Sequence, residues 1–230
     1  MDLASLKSVQ TAAKQFLASS SRLDILFNNA GVMAVPAGLT KDGYEIQIGT
    51  NHLGHALLTK LLMPTLLKTA QLPNTDVRIV TVSAIAYAQA PKGGIKFDLL
   101  RTTQEENNKI VRYCQSKLAN ILYSNELASR YPSITAVSLH PGVVETNLSK
   151  PLQDSHRLAR LLVAISKLIM VVSVQKGALN QLWAATSKEV QTGEFYVPVG
   201  KKDESNVLKD TDLAKKLWDW TETELQSYNM

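Results

Sequence analysis

Apolar residues follow two rhythms along this 230-residue chain, a helical one and a run-like one, and the two alternate. Leu6, Val9, Ala13, Phe16 and Leu17 recur at helical spacing and predict a helix from Leu6 to Leu17. Asp24-Ile-Leu-Phe27 is a short apolar run ending in Asn28-Asn29-Ala30-Gly31, which reads as a buried strand with a loop at its carboxyl end. A long helix is expected from about Gly43 to Lys68, disturbed at Pro64. The β-branched Val77–Val82 stretch predicts the next strand. A polar stretch from Ser83 to Tyr113, with Pro91 and Gly93-Gly94, reads as a functional loop or an insertion. A helix then carries Tyr113 to about Ser129, and Ile134–Leu139 forms a strand closed by His140-Pro141-Gly142. Helix Lys176–Ala185, strand Glu194–Val199 and a polar C-terminal helix complete the series. Such alternation is the mark of an α/β domain with a parallel sheet, here a single domain over residues 1–230.

The strongly apolar segment from Arg157 to Val174 carries Arg160 and Lys167, so it is too interrupted for a membrane span. The expectation is a helix packed over a substrate cleft, with membrane-surface contact left open. Asp2–Ser21 reads as an amphipathic helix and not as a secretory signal.

A chain of this length with 45% hydrophobic residues can bury one real core. Its one cysteine, Cys114, excludes an internal disulfide, and no Cys or His spacing suggests a metal. That fits a reducing, cytoplasmic setting. The net charge of +5 comes from scattered lysines and arginines without a dense block, so nucleic acid is not an expected partner. A mildly basic surface would suit an anionic dinucleotide.

The chemistry gathers around Tyr113 and Lys117, four residues apart on one helix face. An ammonium beside a phenol favours the phenolate and is expected to lower its pKa from about 10 towards neutrality, as a proton donor to a carbonyl requires. Asn51 lies inside a helix, where its side chain is unfavourable unless it bonds to backbone at a kink or holds something. His52, His55 and His140 lack Asp and Ser partners in any recognisable order, so a hydrolase triad is not expected.

Five motifs stand in a fixed order: Asn28-Asn29-Ala30-Gly31, Asn51-His-Leu-Gly54, Ile79-Val-Thr-Val-Ser83, Tyr113-Cys-Gln-Ser-Lys117 and His140-Pro-Gly-Val-Val-Glu-Thr146. Together they resemble the short-chain dehydrogenase/reductase family, and most of all its retinol-dehydrogenase-like branch and similar fungal reductases. The resemblance implies a Rossmann-like doubly wound parallel sheet and an NADP-dependent interconversion of carbonyl and alcohol, with NAD left open. It implies Tyr113 as proton donor, Lys117 as the residue that tunes it and holds the nicotinamide ribose, and Asn51 as holder of a relay water. Asp2 would touch the adenine amino group. Asn29 would contact the cofactor and steady the central strands, while Val144 and Thr146 would grip the nicotinamide carboxamide. A lipophilic small-molecule substrate is expected; homo-oligomerisation is left open.

The sequence departs from the family pattern twice. None of the eleven glycines forms a glycine-rich phosphate turn, and the chain starts at what resembles the end of the third strand. The expectation is an N-terminally truncated domain, without the first strands and the phosphate loop, leaving Asp24–Phe27 as an exposed apolar sheet edge. Second, the family's catalytic serine position is Ala84, preceded by Ser83. Ser83 is the nearest hydroxyl and is taken as the catalytic candidate, although alternation along a strand turns it to the other face. These departures keep a second reading open: a non-catalytic scaffold that binds a partner.

Overall fold

The computed structural model of the protein describes residues 1–144 and 171–229. Helix α1 (Leu6–Ser19) starts at Ser5, whose hydroxyl accepts the Ser8 N–H. Strand β1 (Ile25–Asn28) follows, then a short helix α2 (Ile46–Ile48), a π-helical turn (Gly49–Leu53) and helix α3 (Gly54–Ala70). Strand β2 (Arg78–Val82), helix α4 (Lys109–Arg130) and strand β3 (Thr135–Leu139) come next. The short strands β4 (Val143–Val144) and β5 (Val171–Val172) pair with each other. Helices α5 (Val174–Gly177) and α6 (Leu179–Thr186), strands β6 (Phe195–Val197) and β7 (Lys201–Lys202), and helix α7 (Thr211–Glu224) finish the described chain.

The main sheet runs β1-β2-β3-β6-β7. Its first four strands are parallel and β7 returns antiparallel to β6, so the sheet is mostly and not wholly parallel. Helices α3 and α4 cover one face, with α1 against α3 and α7 against α4. The small side chains Ala184 and Ala185 of α6 cover the other, against Val80, Val82, Val137 and Leu139. Helices on both faces of an open sheet are the Rossmann-like arrangement. The strand order advances in one direction, and the reversal that defines double winding does not occur among the described strands. Among the described strands β1 stands at one end of the order, and its Phe27 is 41% exposed.

One expectation is corrected, a second is refined and a third is corrected at its described end only. The long helix does not break at Pro64, which removes only one backbone bond within α3; its irregularity is the π turn that contains Asn51. The stretch after Ser83, expected as a functional loop or an insertion, is partly folded into the core. It makes 3₁₀ turns at Ile85–Gln89 and Phe97–Leu99 and buries Tyr87, Ile95 and Leu100 in the core. Of the expected Arg157–Val174 helix, residues 157–170 lie outside the described residues, and Val171–Val172 is a strand. Among the described residues no helix is long and apolar enough to cross a membrane, and no cluster of His, Cys, Asp and Glu could hold a metal.

Candidate active site

Because β1, β2 and β3 are parallel, the loops that follow Asn28, Val82 and Leu139 emerge at one end of the sheet. That is where ligands bind in open α/β sheets. A cleft of about 750 Å³ opens there, walled by Asn29–Met33, Val35, Val82, Pro141, Gly142 and Val144 on one side and Val174, Gly177, Ala178 and Gln181 on the other. Small residues let the chains come close. An alanine at Gly177 would drive its Cβ to 2.3 Å from Val144, and one at Gly31 would meet the Asn51 Oδ1 at 2.8 Å.

Tyr113 and Lys117 lie directly behind this wall, one turn apart on α4 and both buried. Tyr113 shares a buried cluster with Ala84 and Cys114, against which Met33 packs, and Met33 lines the cleft. The Lys117 ammonium donates to the Val82 carbonyl at 3.1 Å and sits 5.7 Å from the centre of the Tyr113 ring. The expected acidification of the phenol is not what this geometry yields. Burial pushes the Tyr113 pKa up, because among the described residues nothing hydrogen-bonds its oxygen and the ammonium is aimed at Val82. Burial also pushes Lys117 down, to about 8. Tyr113 therefore keeps its proton, the state from which it can donate.

Asn51 is held by three side-chain bonds. Its Oδ1 accepts the Val32 N–H at 2.8 Å, and its Nδ2 donates to the Val32 carbonyl and the Ser116 hydroxyl, both at 2.9 Å. Ser116 in turn donates to the Tyr113 carbonyl, so Asn51 ties the cleft wall to the Tyr113 helix. What remains of Asn51 for a relay is its main-chain carbonyl, which accepts His55 Nδ1–H at 3.0 Å.

Ser83 does not stand with the catalytic candidates. Its hydroxyl donates to the Lys117 main-chain carbonyl at 2.6 Å, inside the α4 interface, and Ala84 takes the position beside Tyr113. Strand alternation is the cause. The work expected of Asn29 is divided: Asn28 is buried and braces β1 by donating to the Thr59 hydroxyl at 2.9 Å, while Asn29 faces the cleft. Asp2 does not line the cleft. Its carboxylate accepts the Ala4 N–H at 2.9 Å and pairs with Lys41 at 3.1 Å, and the Lys41 bond holds its pKa low. Val144 lines the cleft; Thr146 lies outside the described residues.

Sequence reasoning passed over Ser116, Met33, Gln181 and the buried pair Glu45–Arg112, at 3.0 Å. Glutamate is not among the residues favoured at a helix N-cap, so the sequence carried no signal for Glu45. Nothing in the sequence marked Met33 or Gln181.

The short chain dehydrogenase family description matches residues 1–96. A short-chain dehydrogenase/reductase of Armillaria gallica is 39% identical over 236 residues, covering 99% of this chain and 73% of that protein. Human retinol dehydrogenase 14 is 38% identical over 226 residues, covering 96% of this chain and 64% of its own length. Among solved structures, an uncharacterized protein from Mycobacterium Paratuberculosis superposes with a TM-score of 0.73 at 33% identity, over 98% of this chain and 74% of that one.

Proposed function

The chain belongs to the short-chain dehydrogenase/reductase family, and from that premise we propose that it bears an NAD(P)-dependent site that interconverts a carbonyl and an alcohol on a lipophilic small molecule. The observation that carries this reading is the buried Tyr113–Lys117 pair set one turn apart behind a cleft at the carboxyl ends of the parallel strands. Tyr113 gives its proton to the carbonyl oxygen during reduction and takes it from the alcohol in reverse. Among the described residues Lys117 is the cation set over that phenol ring, and its ammonium favours the anion Tyr113 becomes after donation. The apolar side chains of Val32, Met33, Val35, Val144 and Val174 favour a lipophilic substrate.

The residues present fit the nicotinamide half of a dinucleotide. Ala30, Gly31 and Gly142 allow a flat ring close to the backbone, and Asn29 and Val144 stand beside it in the cleft wall. When bound, the nicotinamide supplies or accepts the hydride. NADP is favoured over NAD by resemblance to the retinol-dehydrogenase-like branch, a likeness that human retinol dehydrogenase 14 supports. No glycine-rich turn among the 230 residues offers a cradle for the pyrophosphate.

The test is turnover of hydrophobic aldehydes and ketones with NADPH. Tyr113→Phe should lower kcat by about a hundredfold or more without changing cofactor affinity, because the phenol is needed only for proton transfer. Lys117→Ala should damage both. Turnover by Tyr113→Phe equal to that of the natural sequence would sink the assignment. Inertness toward every carbonyl tried would leave the scaffold reading.

A further inference from the structure

The wall segment Val32–Val35 is held in place by side chains. Among the described residues it joins no strand ladder. Val32 is clasped at both its N–H and its carbonyl by Asn51. The Ala34 N–H donates to Gln47 Oε1 at 2.8 Å, and the Val35 carbonyl accepts Arg112 Nη2 at 3.3 Å. Ala34 is fully buried with φ of 52°, a conformation that non-glycine residues adopt at a cost, so the segment does not rest there by local preference. Between these anchors Met33 packs against the cluster of Ala84, Tyr113 and Cys114.

The anchors converge on the start of the Tyr113 helix. Gln47 holds Ala34 through its amide oxygen and donates through its amide nitrogen to the Lys109 carbonyl at 2.9 Å, in the first turn of α4. Arg112 immediately precedes Tyr113 and sets its Nη1 on Glu45 Oε1 at 3.0 Å, with the two side chains only 3% and 0% exposed. The other Glu45 oxygen accepts the N–H groups of Gln47 and Ile48, so one carboxylate both holds Arg112 and caps the helix that presents Gln47. A buried guanidinium is costly without its partner, so the parts of this clamp stay together or open together.

We propose that Arg112 and Gln47, fixed by Glu45, are positioning residues that set the gap between the Val32–Val35 wall and Tyr113, and with it where a ligand's carbonyl lies relative to the phenol. The proposal rests on the reading of Tyr113 given above. A side chain that merely held the fold together would loosen the whole domain when lost. A clamp should loosen two sequence-distant segments in step and leave the sheet alone.

The experiment uses the full chain and two variants, Glu45→Gln and Gln47→Met, in hydrogen-exchange mass spectrometry and in steady-state assays with NADPH and nonanal. Peptides covering residues 32–35 and 109–113 should exchange about tenfold faster together in both variants, while the β2 and β3 peptides keep their rates. In turnover, kcat should fall about tenfold, more than KM changes, because displacement by a fraction of an ångström spoils orientation before it spoils binding. Loosening of residues 32–35 without 109–113, or equal acceleration across the sheet, would overturn the proposal. If Glu45→Gln fails to fold, Gln47→Met decides alone, since it removes no charge. If the unmodified chain does not reduce nonanal, the reading of Tyr113 is what is in question, and the exchange rates still decide whether the two segments are coupled.

Discussion

The Ser83 hydroxyl donates to the Lys117 main-chain carbonyl at 2.6 Å, while its neighbour Ala84 lies against Tyr113. The hydroxyl and the methyl are thus exchanged relative to what carbonyl reduction would use. Ala84→Ser should raise kcat/KM by tenfold or more, since one donor to a developing oxyanion is worth about 3 kcal/mol in comparable sites. Ser83→Ala should leave kinetics unchanged and cost about 1 kcal/mol of stability for the lost hydrogen bond. Steady-state rates and thermal melts of the two variants check this; an Ala84→Ser protein no faster than its parent would show that another group polarises the carbonyl.

Lys117 is an expensive residue to bury. Its folded-state pKa of about 8 lies below the ordinary 10.5 because burial penalises the ammonium. Between these values the unfolded chain holds more protons than the folded one, so stability should rise as pH climbs from 8 to 10.5. Lys117→Met should therefore stabilise the fold at pH 7 by roughly 1–3 kcal/mol while removing turnover, and lose that advantage above pH 10 or so. The Val82 carbonyl it leaves is still bonded to Asn120 Nδ2. Urea denaturation at pH 7 and 10.5 tests it: a Lys117→Met protein less stable than its parent at pH 7 contradicts the account.

Acid should weaken the fold through histidines. Burial pushes His52 down to about 3, and burial with a smaller contribution from Lys117 pushes His140 down to about 4. His55 is also pushed to about 4, chiefly by burial. In the unfolded chain each titrates near the ordinary 6.5. The unfolded state takes up more protons as pH falls from 6.5, so stability is lost in that direction, by about 2 kcal/mol per histidine on reaching pH 5. The melting temperature should drop steeply between pH 7 and 5, and His52→Gln should make the slope shallower. A flat profile would mean that these rings are not neutral and buried in solution.

Cofactor binding by this chain should be weak. The cleft offers contacts to one half of a dinucleotide, and the helix-terminus phosphate contacts that dominate affinity in such folds have no counterpart in the sequence. A fluorescence titration with NADPH should show no saturation in the micromolar range. Saturation there would mean that another part of the chain binds the phosphates.

Elements were legible where periodicity was strong. The strand over Ile134–Leu139 and the helix over Leu6–Leu17 stand within two residues of their expected ends, because apolar runs and helical spacing each report burial directly. The Tyr113–Lys117 pair was legible because one helical turn fixes which residues share a face. What could not be read was anything set by tertiary contact. No local pattern says that a helix will widen by a turn at Gly49–Leu53, since that choice is made by the Val32 backbone waiting for the Asn51 amide. The direction of the Tyr113 shift was misread for a related reason. Spacing put an ammonium near a phenol, but the Val82 carbonyl, from a distant strand, decided where that ammonium points.

A π turn holds one residue more than the α turn it replaces, and the helix on either side keeps its own face. Deleting one residue between Gly49 and Leu53 should therefore let the helix close into a regular α-helix with α3 still seated on the sheet. Asn51 would swing away from Val32 and Ser116, and its buried neighbour His52 away from Thr221. A shortened chain would keep its pocket-lining residues, yet its wall would hang from one anchor fewer. A one-residue gap here, in a comparison of relatives, would mark the loss of the reactive geometry more cleanly than any substitution within the cleft.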